Sequence, residues 1–330
     1  LSRIFVHGCG VVSPAGWGLA SFRGQLEQGQ APSTSNFQRP DRTELPVFRV
    51  PPPPARPAWL AQPRLRRSSP ISHLAVAAAV EALGGGDRVP ETPGLALVVC
   101  VQGGSVQYSR RFFAEALADP STASPLLFPE TVFNAPASHL GAVLGTSARN
   151  STYVSDQAGF LAGLAMAADW LERGLADATL VVACEEADWT TAEASRLFSR
   201  RSRASEGAAA VLLRREIGPV ELEGISSPRP FVQGRLPTEA LTAIRRELGP
   251  AETVFSHGVR GAAGAIDPVF GDGLAAAGGW TCIAAIDALL QFRGKSAMAL
   301  VAGSNLQALG VRFSRVHTAG ELPLQPPANG

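Results

Sequence analysis

Residues Asn150 to Arg173 read NSTYVSDQAGFLAGLAMAADWLER. Tyr153, Val154 and Ser155 predict a short strand, and Asp156, Gln157, Ala158 and Gly159 a tight turn. The small and apolar residues that follow predict a helix ending at Gly174. A strand–turn–helix elbow holds its turn residue beside a helix N-terminus, whose free N–H groups favour negative charge. Such turns often carry a nucleophile. Here the apex residue is Gln157, and a carboxamide is no nucleophile.

The chain has 330 residues, enough for one large domain or two fused halves. Hydrophobic residues make up 45% and charged residues 17%, which fits buried strands and helices and a large subunit interface. A formal charge of +1 offers no electrostatic case for nucleic acid or an anionic membrane. The basic cluster Arg64, Arg66 and Arg67 reads as local solvated surface. Cys9, Cys100, Cys184 and Cys282 lie in apolar contexts without metal-knuckle spacing, so they read as packed free thiols. His7, His73, His139 and His317 are scattered, and no metal or cofactor is expected. No apolar run spans a membrane without glycine or charge, and LSRIFVHGCG is not a signal peptide. The expectation is a soluble cytoplasmic protein.

Outward from the elbow, strands are predicted at Ile4–Val6 and Val11–Val12 around a glycine turn, and at Leu95–Val101, Ala178–Ala183 and Ala208–Leu213. Helices are predicted near 22–29, at 72–83, at 111–118 and from about Ala137 to Gly145. Residues 30 to 63, rich in proline, read as an irregular surface arm, and Glu321 to Gly330 as a tail. Glu185, Glu186 and Asp188 read as a solvated strand end, with a hydrogen-bonding role at an interface as the alternative. The second half repeats the rhythm: a strand at Thr253–Ser256, a glycine-alanine turn at 271–279, a helix at 280–292, and strands at 297–301 and 310–314. The alternation predicts a layered α/β fold with an internal duplication.

Five segments, in order, carry a resemblance. They are FVHGCGVVSPAGWGLASFRGQL from Phe5, FPETVFNAPASHLGAVLG from Phe128, ASEGAAAVLL from Ala204, GDGLAAAGGW from Gly271 and SNLQALG from Ser304. Together with the elbow they make the chain resemble the β-ketoacyl-acyl-carrier-protein synthases. The resemblance implies a thiolase-like fold of two pseudo-duplicated halves, 1–215 and a shortened 216–330, with mixed sheets and layered helices. The segment from Phe128 resembles the part that runs to the family's dimer interface.

The departures carry the functional reading. In the family a cysteine at the elbow takes the acyl chain, and two histidines assist decarboxylation and hold the enolate. The cysteine position matches Gln157, the first histidine His257 in SHGVRG, and the second histidine Asp272 in FGDG. The lysine that usually precedes the second histidine matches Asp267. The short spacing from His257 to Asp272 implies a deleted loop. A carboxylate facing a developing enolate raises the barrier, by about the several kcal/mol lost with an oxyanion donor.

The context VSDQAGFL resembles the chain length factor, or β-ketosynthase β subunit. The resemblance implies a non-catalytic subunit that pairs with a catalytic ketosynthase, serves an acyl carrier protein and shapes the acyl tunnel. Tunnel positions are then expected at Phe160, Leu161, Leu164 and Phe133; ordinary core packing is the alternative. His257 reads as a vestige, a core histidine or a general acid. Two other functions stay open. One is a malonyl-carrier decarboxylase using Gln157, against which Asp272 argues. The other is an acyl-binding or hydrolytic homodimer, for which Ser155 lacks a visible partner.

Overall fold

The computed structural model describes residues 3–198, 203–232, 235–259, 261–262 and 264–316. The expected tail at 321–330 and His317 lie outside the described residues. Strand β1 (Phe5–Ser13) turns back through β2 (Gly16–Trp17) into α1 (Leu19–Gln28). The proline-rich arm, expected to be irregular, contains a hairpin of β3 (Ser35–Gln38) and β4 (Glu44–Val47) and a 3-10 turn at Ala58–Ala61. Next come α2 (Pro70–Ala82), which begins with proline in its first turn, β5 (Ala96–Val101), α3 (Val106–Ala118) and α4 (Ala135–Leu144). The elbow joins β6 (Asn150–Val154) to α5 (Gly159–Glu172), followed by β7 (Ala178–Glu185), α6 (Trp189–Phe198) and β8 (Gly207–Arg214). The remainder is β9 (Val220–Ile225), β10 (Arg229–Pro230), α7 (Thr238–Leu248), β11 (Thr253–His257), the single turn α8 (Asp267–Phe270), α9 (Ala275–Leu290), β12 (Ser296–Ala302) and β13 (Gln307–Arg315).

All these strands except β3 and β4 form one mixed sheet in the order β11-β12-β13-β9-β1-β8-β7-β5-β6, with β2 and β10 attached to β1 and β13. The order contains a repeat. β1 pairs antiparallel with β8, β8 antiparallel with β7, and β7 parallel with β5. In the same way β9 pairs antiparallel with β13, β13 antiparallel with β12, and β12 parallel with β11. The sets meet where β1 pairs with β9. The first set ends in an extra parallel strand, β6; the second has at that place the single bridge Ser256–Ala265.

Two helices fill the space between the sets. α9 packs on β7 and β8 of the first and on β11, β12 and β13 of the second, and it also packs on α5. It is buried from Ala275 to Leu289. α2 and α4 cover the outer face of the first set, and α7 covers β13. The core is therefore continuous across both sets, with Phe160, Leu164, Trp280 and Ile283 at its centre. Among the described residues, no helix is long and apolar enough to cross a membrane.

Two predicted glycine turns are regular structure instead. β1 runs unbroken through Gly8 and Gly10. A Cβ on Gly8 would stand 2.0 Å from the Ala82 carbonyl oxygen, and one on Gly10 2.1 Å from that of Ala78. These glycines admit α2 against the strand; they do not bend it. Likewise α9 starts at Ala275, so Gly278 and Gly279 are helical. A Cβ on Gly278 would stand 2.0 Å from the Gln157 carbonyl oxygen. Helix propensity alone makes Gly278→Ala stabilising by up to about 1 kcal/mol. The backbone contact reverses the sign, and the expected outcome in urea denaturation is a loss of about 1–3 kcal/mol.

Candidate functional site

The elbow forms because Asp156 closes its turn. Its carbonyl accepts the Gly159 N–H at 2.9 Å, the first of α5, and its Oδ1 accepts the Ala158 N–H at 3.0 Å. Its Oδ2 accepts the Asn305 N–H at 2.7 Å, which ties the elbow to the loop between β12 and β13. Gly303 in that loop leaves the room: a Cβ there would stand 2.1 Å from the Asp156 carboxylate.

Gln157, the apex, is buried and fully engaged. Its Oε1 accepts the Ser304 N–H at 3.0 Å. Its Nε2 donates to Asp272 at 2.9 Å and 3.0 Å, one contact to each carboxylate oxygen. Chemistry selects this amide orientation, because the reverse sets oxygen against oxygen. Asp272 Oδ1 also accepts the Leu274 N–H at 3.0 Å. Leu274 sits at φ 51°, ψ −127°, a backbone conformation that costs a non-glycine residue on the order of 1–3 kcal/mol.

His257 ends β11 and is buried beside the same carboxylate. Its Nε2 lies 3.9 Å from Asp272 Oδ1 and its Nδ1 lies 3.5 Å from Asp267 Oδ1. Asp267 Oδ1 accepts the Gly258 N–H at 3.3 Å. The fold thus brings Gln157, His257 and Asp272 together, with Asp267, on the wall of one cavity of about 950 Å3. Ser304, Asn305, Phe231 and Val259 share that wall.

The expected tunnel residues lie elsewhere. Phe160, Leu161 and Leu164 are fully buried in the central core, and the cavity wall does not include them. α5 packs on α9 there, with Phe160 beside Gly278 and Gly279. Phe133 is half exposed, with its ring against Gly104, and is not on that wall either. Ser155 stays off the wall, with its hydroxyl 3.5 Å from Asp156 Oδ1. All four cysteines are buried, and none is on the cavity wall. Burial pushes the Cys9 and Cys100 thiols up to about 12, and raises Cys184 and Cys282 as well.

The acidic set after β7 corrects the sequence reading, for Glu185, Glu186 and Asp188 are all buried. Glu185 accepts the N–H groups of Gln102 and, at 2.9 Å, Gly103, both on the cavity wall. Glu186 accepts from the Ser69 hydroxyl at 2.6 Å, the Gln107 N–H at 2.8 Å and the Ile71 N–H at 3.0 Å. Asp188 pairs with Arg110 at 2.9 Å and accepts the Thr190 N–H at the start of α6. The loop N–H groups of Gln102 and Gly103 and the first-turn N–H groups of α2, α3 and α6 have no backbone partner, and these carboxyls accept from them. The sequence showed only acidic residues after an apolar run, a pattern common at wet strand ends.

Burial pushes Glu185 up to about 8 and Glu186 up to about 7, from an ordinary 4.5. A raised folded value means that the folded chain binds protons more tightly than the unfolded chain. The resulting stabilisation is complete below 4.5 and is lost as pH rises through about 7 and about 8. The urea midpoint is expected to fall as pH is raised from about 5 to about 8, and Glu185→Gln to flatten that fall. An unchanged slope in the variant counts against this assignment.

No family model matches the chain, and no curated protein matches it. Solved structures do. The ishigamide ketosynthase/chain length factor aligns with TM-score 0.77 at 17% identity, covering 96% of this chain and 100% of that one. A β-ketoacyl synthase from Burkholderia phymatum STM815 aligns with TM-score 0.76 at 14% identity, over 96% and 100%. A ketosynthase in complex with its chain length factor from Xenorhabdus doucetiae aligns with TM-score 0.72 at 15% identity, over 96% and 98%. The chain therefore has the thiolase-like fold of the ketosynthases and chain length factors.

Proposed function

We propose that this chain is a non-catalytic ketosynthase-like subunit. It pairs with a cysteine-bearing ketosynthase, and the pair extends acyl chains held on an acyl carrier protein. The observation that carries this reading is the state of Gln157. The residue at the nucleophile's place has its carbonyl oxygen committed to Ser304 and its amide committed to Asp272. A thiolate attacks a thioester carbon; a carboxamide with both ends hydrogen-bonded does not. The Ser304 N–H, spent on Gln157, is not free to hold an oxyanion. Asp272 brings negative charge to where an enolate needs donors. On this reading residues 1–215 carry the degenerate elbow and 216–330 form the shortened half.

The surface favours a protein partner. β6 is the free end of the sheet, and Val154 on it is 52% exposed. An unpaired strand with an apolar side chain invites pairing with another chain. Near by in the sequence, Phe113, Leu117, Leu126, Phe128, Val132 and Phe133 are also exposed. α3 contributes two of them and buries none of its residues in this chain. An apolar set of this size is unusual on a monomer.

The test is to purify the chain alone and with a co-encoded, cysteine-bearing synthase, then assay malonyl-dependent elongation. Elongation is expected only from the pair. Val154→Arg should weaken the pair at least tenfold in sedimentation or titration, about 1.4 kcal/mol, without altering this chain's own fold. Condensation by this chain alone overturns the proposal, as does a homodimer that ignores the synthase. Carbon dioxide released from malonyl-carrier protein, and lost in Gln157→Ala, would replace it with the decarboxylase reading.

A further inference from the structure

We propose that the cavity beside His257 binds a small organic cation, a primary ammonium carried on an apolar body. Its volume of about 950 Å3 is that of a small-molecule site. Two carboxylates stand on its wall. The Asp267 and Asp272 side chains are 33% and 17% exposed, so both are reachable and both are partly desolvated. Asp272 accepts from the Gln157 amide and the Leu274 N–H, and Asp267 from the Gly258 N–H. Neither carboxylate meets a lysine or arginine among the described residues. Among the described residues, only dipoles and the His257 ring answer these two carboxylates, and a carboxylate withdrawn from water is costly without a full counter-ion.

His257 gives a second, independent sign. It lies between the two acids with its side chain 4% exposed, and its Nδ1 has no hydrogen-bond partner. Buried polar atoms are nearly always satisfied, so an orphan on a cavity wall points to an absent ligand. An ammonium has three donors, enough to bridge both carboxylates. Phe48, Phe231, Val259 and Leu274 offer the apolar body its contacts. Arg203 is the only lysine or arginine among the described wall residues, and its guanidinium is occupied over the Phe48 ring at 5.4 Å. A carboxylate-headed ligand would meet Asp267 and Asp272 with the wrong sign. This inference does not require that the chain partner a synthase.

The test is calorimetric titration of the full chain at pH 7 with octylamine, octanol and octanoate, which share one alkyl body; octylamine is cationic there. Octylamine is expected to bind at least tenfold more tightly than octanol, and octanoate more weakly than octanol. Asp267→Asn should bring octylamine to the level of octanol and leave octanol unchanged. Binding of octanoate as tight as that of octylamine overturns the proposal. So does the absence of binding by all three, or an octylamine affinity unaltered in Asp267→Asn. If the variant does not fold, the three-ligand comparison on the unaltered chain decides alone.

Discussion

One buried amide joins the two strand sets at the candidate site. Gln157 arises from the elbow after β6, accepts from the loop between β12 and β13, and donates to Asp272 just before α9. Asp156 adds a parallel tie to Asn305. These bonds hold the elbow, the loop and the start of α9 in one register. Leaving either end of the amide unpaired would cost on the order of 1–3 kcal/mol. The bare positions around it, Gly278 and Gly303, exist so that backbone and carboxylate can come this close.

The same constraint underlies the proposed non-catalytic role. In a working elbow the apex must be free to attack and the nearby N–H groups free to receive charge. Here each polar atom at the apex has a protein partner, and the carboxylate opposite it adds charge of the wrong sign. The site is well ordered and well satisfied at Gln157, and unsatisfied at His257. That imbalance separates the two halves of the cluster: Gln157 is a brace, while the His257 Nδ1 has no hydrogen-bond partner.

The braces around the cavity follow one pattern. Glu185 and Glu206 accept backbone N–H groups from loops at the strand ends, and Glu186 from the first turns of α2 and α3. Glu81 likewise accepts the N–H of Val11 in β1 and of Leu19 at the start of α1. A chain with so few charged residues places several of its acids inside, as acceptors for backbone that has no sheet or helix partner. Folding thereby trades hydration of these carboxyls for order in the loops that form the wall.

Local pattern alone determined much of this protein. The short, β-branched apolar runs at 95–101, 178–183 and 208–213 favoured buried strands, and the elbow at 150–173 was written in its residue types. That Gln157 stands at the apex of the elbow was legible because it is a matter of residue identity. α7 escaped the sequence reading because its apolar stripe, Ala240, Leu241 and Ile244, is short and set among charges. Contacts between distant segments were decided by tertiary structure. Gly8, Gly10, Gly278 and Gly279 look like turns until the neighbour that each admits is in place. Glu185 and Glu186 look solvated until the loops they hold are seen. Phe160, Leu161 and Leu164 read equally as tunnel or core from the sequence, and the fold shows them buried in the central core. In each case the deciding quantity is what stands within a few ångströms from elsewhere in the chain, and no single stretch of sequence contains that.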